Sequence, residues 1–170
     1  MNNGTTQELL TEPRPPILGM PRIVMLDKSA SVAWMLMPEF LERVKQFCLT
    51  EDADSNGEML AESIMRDFVI DQHIYGLMVG ILDGRVCGHL LASIDRWYNK
   101  LYCTVLQYQW DEHLGVSRGL IQAGFDALAD WANLNQCEQI QALVPTEAHE
   151  RRLKMLYGFR RHKILMRREI

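Results

Sequence analysis

Apolar residues between Arg22 and Val69 recur at helical intervals, whereas from Tyr75 onward they alternate or run together as strand residues do. Arg22 to Leu26 predicts a short first strand. Asp27 with Ser29 or Ser31 supplies an N-cap for a helix whose apolar positions are Val32, Trp34, Met35, Phe40, Leu41 and Val44, and Pro38 inside that run predicts a kink or a break. Met59, Leu60, Ile64, Phe68 and Val69 mark a second amphipathic helix after the polar loop Glu51 to Gly57. That loop, EDADSNG, lacks the Gly and Glu positions of a calcium-binding EF-hand and reads as solvated.

Ile74 to Leu82 and Val86 to Ile94 predict two strands joined at Asp83-Gly84, the strongest hairpin signal in the chain. Arg96 to Lys100 is a second turn. Leu101 to Trp110 then alternates, with Tyr102, Thr104, Leu106, Tyr108 and Trp110 expected on one face and Cys103, Val105, Gln107 and Gln109 on the other. A polar loop from Asp111 to Arg118 precedes a helical stripe of Leu120, Ile121, Phe125, Leu128 and Ala132, which runs to about Leu134. Gln139 to Val144 follows as a strand placed parallel to its neighbour by the crossover helix. Thr146 caps a helix through Tyr157, Gly158 stops it, and Phe159 to Ile170 reads as a final strand or hairpin. Residues 1 to 21 carry Pro13, Pro15, Pro16 and Pro21 and form an extended arm, with Ile17, Leu18 and Met20 apolar enough to dock on a neighbouring surface. The expected organisation is an arm over 1–21 and one domain over 22–170.

Composition narrows this picture without redirecting it. The 170 residues suit one α/β (α+β) domain, 48% apolar and 24% charged. Eighteen basic against 22 acidic residues give a net charge of −4, which argues against a general attraction to nucleic acid or anionic lipid. The basic run from Arg151 to Arg168 would alternate between two faces of a strand rather than converge on one. Cys48, Cys87, Cys103 and Cys137 are widely spaced, form no metal-ligand pattern, and read as reduced thiols; no metal is expected. No segment approaches the roughly 20 apolar residues of a membrane span. A protein made and used inside a cell, cytoplasmic or packaged in a virion, is the expectation.

The order of strand, two helices, three antiparallel strands, helix, strand, helix and strands resembles the GNAT superfamily of acyl-CoA-dependent N-acyltransferases. LDGRVCGHLLAS (Leu82 to Ser93) is similar to that family's second hairpin, and LKMLYGFRRHKILMRREI (Leu153 to Ile170) is similar to its helix ending in Gly-Phe before the last strands. The resemblance implies a mixed, mostly antiparallel central sheet flanked by helices. It also implies acetyl-CoA as acyl donor, with its pyrophosphate held at the N-terminus of the helix after the fourth strand, where unpaired N–H groups face an anion.

That loop falls within HLGVSRGLIQAG (His113 to Gly124), and Ser117, Arg118, Gly119 and Leu120 become the candidate pyrophosphate site. The family's pattern of Arg or Gln, then two spaced small residues, is not reproduced: with Gly119 in the first small place, Val116 and Ile121 occupy the others. The family's general acid, a Tyr four residues before the Gly of Gly-Phe, corresponds to Lys154, and Tyr157 lies on another side of its helix. Asp111 and Glu112, at the end of the fourth strand, are the candidate general bases. His89 and His113 have the proton affinity for such work but read more simply as a core or surface residue and a loop residue.

Two functions follow. The first is an acyl-CoA-dependent N-acetyltransferase acting on an amine-bearing small molecule or protein. The second is a non-catalytic GNAT-fold structural or assembly protein, such as a bacteriophage virion component, meeting its protein partner through the N-terminal arm. Trp97, Tyr98 and Met20 are the exposed apolar residues that would mark a partner surface.

Overall fold

The computed structural model describes residues 21–51, 55–70 and 74–142, together with Arg151, Leu153 and Lys154. Its elements are β1 (Arg22–Met25), α1 (Ser31–Thr50), α2 (Gly57–Ile70), β2 (Tyr75–Leu82), β3 (Arg85–Trp97), β4 (Lys100–Trp110), a 3-10 turn (Glu112–Leu114), α3 (Arg118–Leu134) and β5 (Gln139–Ala142). The expected arm, the middle of the EDADSNG loop, the Thr146 cap, the Gly158 stop and the final strand lie outside the described residues.

The five strands form one sheet in the order β1-β2-β3-β4-β5. The first three pairings are antiparallel, and β5 joins β4 in parallel. This is the mixed, mostly antiparallel sheet that the strand pattern predicts. The β2–β3 hairpin turns at Asp83 and Gly84, both at positive φ (51° and 77°), the conformation that matches the twist of the flanking strands.

One face of the sheet packs against α1 and α2 through Leu77, Val79, Ile81, Val86 and Leu91. The other packs against α3 through Met78, Leu90, Ala92, Cys103 and Val105, and helical Leu153 joins this second core.

Helix α1 corrects the sequence reading in three ways. It runs unbroken through Pro38, because one missing N–H is tolerated where tertiary packing holds both sides of the helix. Its N-cap is Ala30, without a side-chain bond, while the Asp27 carboxylate instead accepts from the Ser29 amide at 2.7 Å in the preceding turn. Its buried stripe is Ala33, Met37, Phe40, Val44 and Cys48, at intervals of three and four, so Val32, Trp34 and Met35 turn outward. Phe40 and Val44 are fully buried, each contributing about 1.5–3 kcal/mol of transfer free energy. In α2, Ile64 and Phe68 are buried as the pattern requires, but Met59 and Val69 face outward.

The alternation expected along β4 also breaks. Leu91 pairs with Gln107 and Ala92 with Val105, leaving Leu106 as an extra residue in a β-bulge. Before the bulge Cys103 and Val105 face α3; after it Tyr108 takes that face, while Leu106 and Gln107 turn toward α1. A one-residue insertion reverses the phase of every later side chain.

Candidate functional site

Among the described residues β5 pairs with β4 from Tyr102 to Val105, matched to Gln139 through Ala142, and residues 143–150 lie outside them. β4 continues through Leu106 to Trp110, and no described strand pairs with that edge beyond Val105.

The far end of β4 is held down by Trp110, whose indole lies over three glycines. A Cβ built on Gly88, Gly80 or Gly124 would come within 2.3, 2.5 and 3.1 Å of ring atoms. This close approach of ring to backbone seats α3 against the sheet at the end of β4.

Helix α3 begins where the candidate pyrophosphate loop was read. Ser117 is its N-cap, and the Ser117 hydroxyl accepts from the Leu120 amide at 3.2 Å. Leu120 therefore has its N–H occupied and its side chain 5% exposed in the core, so it anchors the helix. Among the described residues nothing accepts from the amides of Arg118 and Gly119, and both residues are exposed. A Cβ at Gly119 would meet only Ser117 Oγ, at 3.8 Å, so the space above the helix start is open. Two unpaired amides, the positive end of the helix dipole and the Arg118 guanidinium make this end attractive to an anion.

Asp111 follows β4 directly, and its carboxylate is forked by Arg43 of α1, with Nη2 donating at 2.8 Å and Nη1 at 3.2 Å. Nη2 also donates to the Val86 carbonyl, so Arg43 ties α1 to β3 and to the end of β4. The hydrogen bond to Asp111 is the main cause holding the Arg43 guanidinium above its already high ordinary pKa. Glu112 opens the 3-10 turn; its side chain lies outside the described set. His113 is exposed in the same turn, and Lys154 is exposed on its helical segment.

His89 is a core residue under α1. It is 0% exposed, meets Phe40 and Phe47 edge-on at ring distances of 5.8 and 6.2 Å, and bonds through Nε2 to Gln107 Oε1 at 3.3 Å. Burial lowers its pKa to about 4, so the ring is neutral at physiological pH. Burial likewise raises the Cys103 thiol to about 12, which leaves it protonated and unreactive.

Sequence reading passed over a polar ladder on the α1 side of the sheet. Asp95 accepts from the hydroxyls of Thr104 and Ser93, and Thr104 in turn accepts from Gln141 Nε2 at 2.9 Å. The strand period alone placed Ser93 and Asp95 on one face, and the three-strand register adds Thr104 and Gln141. A cavity of about 290 Å³, lined by Asp27, Asp67, Tyr75 and Trp131 among others, shares no lining residue with the α3 start. There the buried Asp67 carboxylate accepts from the amides of Ile74 and Tyr75, a structural task. Among the described residues no cluster of His, Cys, Asp or Glu could hold a metal ion, and no helix is long and apolar enough to cross a membrane.

No family model and no curated protein matches the chain. Solved structures do. An acetyltransferase from Trypanosoma brucei is 19% identical, with 88% of this chain and 99% of that one covered at a TM-score of 0.59. The aminoglycoside acetyltransferase AAC(6')-Iy, in complex with the bisubstrate analog CoA-S-monomethyl-acetylneamine, is 14% identical over 89% and 99%, at 0.66. Glucosamine-6-phosphate N-acetyltransferase from Arabidopsis thaliana is 12% identical over 89% and 99%, at 0.61.

Proposed function

We propose that this chain, which has the GNAT fold, transfers an acyl group from acyl-CoA to an amine. One observation carries the reading: the helix that follows β4 presents the amides of Arg118 and Gly119, unpaired among the described residues, beside the Arg118 guanidinium at an open helix start. A pyrophosphate fits the helix start. AAC(6')-Iy carries a CoA-based bisubstrate analog on the same fold, which supports a CoA thioester as donor here.

Acyl-CoA supplies an activated thioester when bound. The chain's part is to orient it and to receive the proton released as the amine forms the amide bond. Asp111 and Glu112 stand at the end of β4 as the candidate bases. Asp111 can accept a proton only by giving up its fork with Arg43, so its geometry favours positioning the loop over proton transfer. Arg118 and the α3 amides bear on the pyrophosphate. The acceptor is an amine-bearing molecule, and the aminoglycoside and amino-sugar enzymes among the structural neighbours support a small one. No observation favours the assembly-protein alternative, whose arm lies outside the described residues.

Gly119→Trp tests the site. Because Gly119 is exposed with open space above it, the bulky ring should leave the thermal midpoint within about 2 °C and weaken acetyl-CoA binding at least tenfold. Unchanged affinity in a folded variant removes the helix start from the site.

A further inference from the structure

We infer that the cavity between the C-terminal ends of α2 and α3 is a second binding site, which takes a small primary alkylammonium ion and is independent of the acyltransferase reading above. Its lining includes Asp67 and Phe68 from the last turn of α2, Trp131 and Leu134 from the last turn of α3, and Asn135 just beyond. Helix α3 spans 17 residues, so this end lies about 24 Å from the helix start at the rise of an α-helix. The two sites are separate in space and opposite in charge.

Independent features of this cavity favour a cation. Asp67 is 6% exposed, and the Ile74 and Tyr75 amides donate one to each of its oxygens at 3.2 Å, the long end of the range for such bonds. They fill two of about four acceptor sites, and among the described residues no cation pairs with the carboxylate, so a charge held out of water lacks a counter-ion. Both helices also bring their negative dipole ends here, and neither has a basic residue in its last turn. A carboxylate in the last turn of α2 adds to that negative end instead of offsetting it. Asp27 and Asp67 against Lys28 leave the lining net negative.

Size and surface define the rest of the ligand. About 290 Å³ suits a molecule of a few carbon atoms. Phe68, Leu77 and Trp131, all buried, supply an apolar wall for its methylenes. Asn135 spends its amide nitrogen on the Trp131 carbonyl at 2.8 Å and keeps Oδ1 as an acceptor. The three donors of a primary ammonium match that oxygen and the two remaining carboxylate sites.

The test titrates the purified chain by calorimetry with n-butylammonium chloride, and with n-butanol as its uncharged match, in the absence of acetyl-CoA. The ammonium should bind with a dissociation constant of about 1 mM or below, at least about tenfold more tightly than the alcohol. Asp67→Asn removes the charge and should weaken ammonium binding at least about tenfold. Should that variant fail to fold, Leu134→Lys carries the test, because Leu134 is 82% exposed at the cavity and a lysine there supplies a tethered ammonium. It should weaken butylammonium binding at least about fivefold, whereas Leu49→Lys, the same charge change on α1 away from the cavity, should leave it within about twofold. Equal binding of butylammonium and butanol, no binding of either at about 10 mM, or an affinity unchanged by Leu134→Lys overturns the inference. Absence of acetyl-CoA binding would sink the acyltransferase reading and leave this one standing.

Discussion

His89 illustrates how burial decides the meaning of a residue. Nothing in the local sequence separates a catalytic from a core histidine on a strand. The decision comes from Phe40 and Phe47, far away in the chain, which close over the ring. Its pKa of about 4 has a consequence for stability. Above pH 6.5 the imidazole is neutral in both the folded and the unfolded chain, and the fold keeps its full stability. As pH falls from 6.5 to about 4, the unfolded chain takes a proton that the folded one refuses, so stability declines by about 3 kcal/mol. His89→Gln should flatten this part of the curve in urea melts across the range. An unchanged slope would place the titrating group elsewhere.

Asp111 was legible as a carboxylate at the end of the fourth strand, but its partner was not, since Arg43 lies 68 positions earlier. Asp111→Asn keeps the shape and removes the charge that Arg43 grips. We expect a loss of about 2 kcal/mol in chemical denaturation. Acetyl transfer, per folded molecule, should fall by less than about tenfold if Asp111 positions the loop, and by about a hundredfold or more if it is the base.

Among the elements, those with strong local signals were read with little error. The Asp83-Gly84 hairpin requires positive φ at both residues and shows it, and the α3 stripe of Leu120, Phe125 and Leu128 is buried as its spacing demands. The misreadings share a cause in tertiary context. Outward-facing Trp34 and Met35 look like core residues in sequence, whereas Ala33 and Cys48, which let α1 approach the sheet, do not. The bulge at Leu106 has no sequence signature, because its insertion is defined by register with Ala92 and Leu91 on another strand. Trp110 and its glycines offer a test at this scale. Gly88→Ala puts a methyl within 2.3 Å of the indole and 2.7 Å of the Gln109 carbonyl, so overpacking should cost about 2 kcal/mol. Gly119→Ala, in open space, should cost nothing measurable. Equal effects of the two in thermal melts would contradict the close seating of Trp110.

Across the whole molecule, the order of elements carried the fold and the loop sequence did not carry the site. Bulky Ile121 breaks the small-residue spacing associated with pyrophosphate loops, yet it is partly buried against the α3-side core and leaves Arg118 and Gly119 at the open helix start. What matters to an anion is the backbone amides, and these depend on the cap and the helix axis more than on side-chain identity. The helix start bears on one claim, that it receives the pyrophosphate of an acyl-CoA. Calorimetric titration of the purified chain with acetyl-CoA tests it most directly. A single site with a dissociation constant in the micromolar range, about −8 kcal/mol, is the predicted result. No heat of binding at about 1 mM ligand, in a chain shown to be folded, would contradict it.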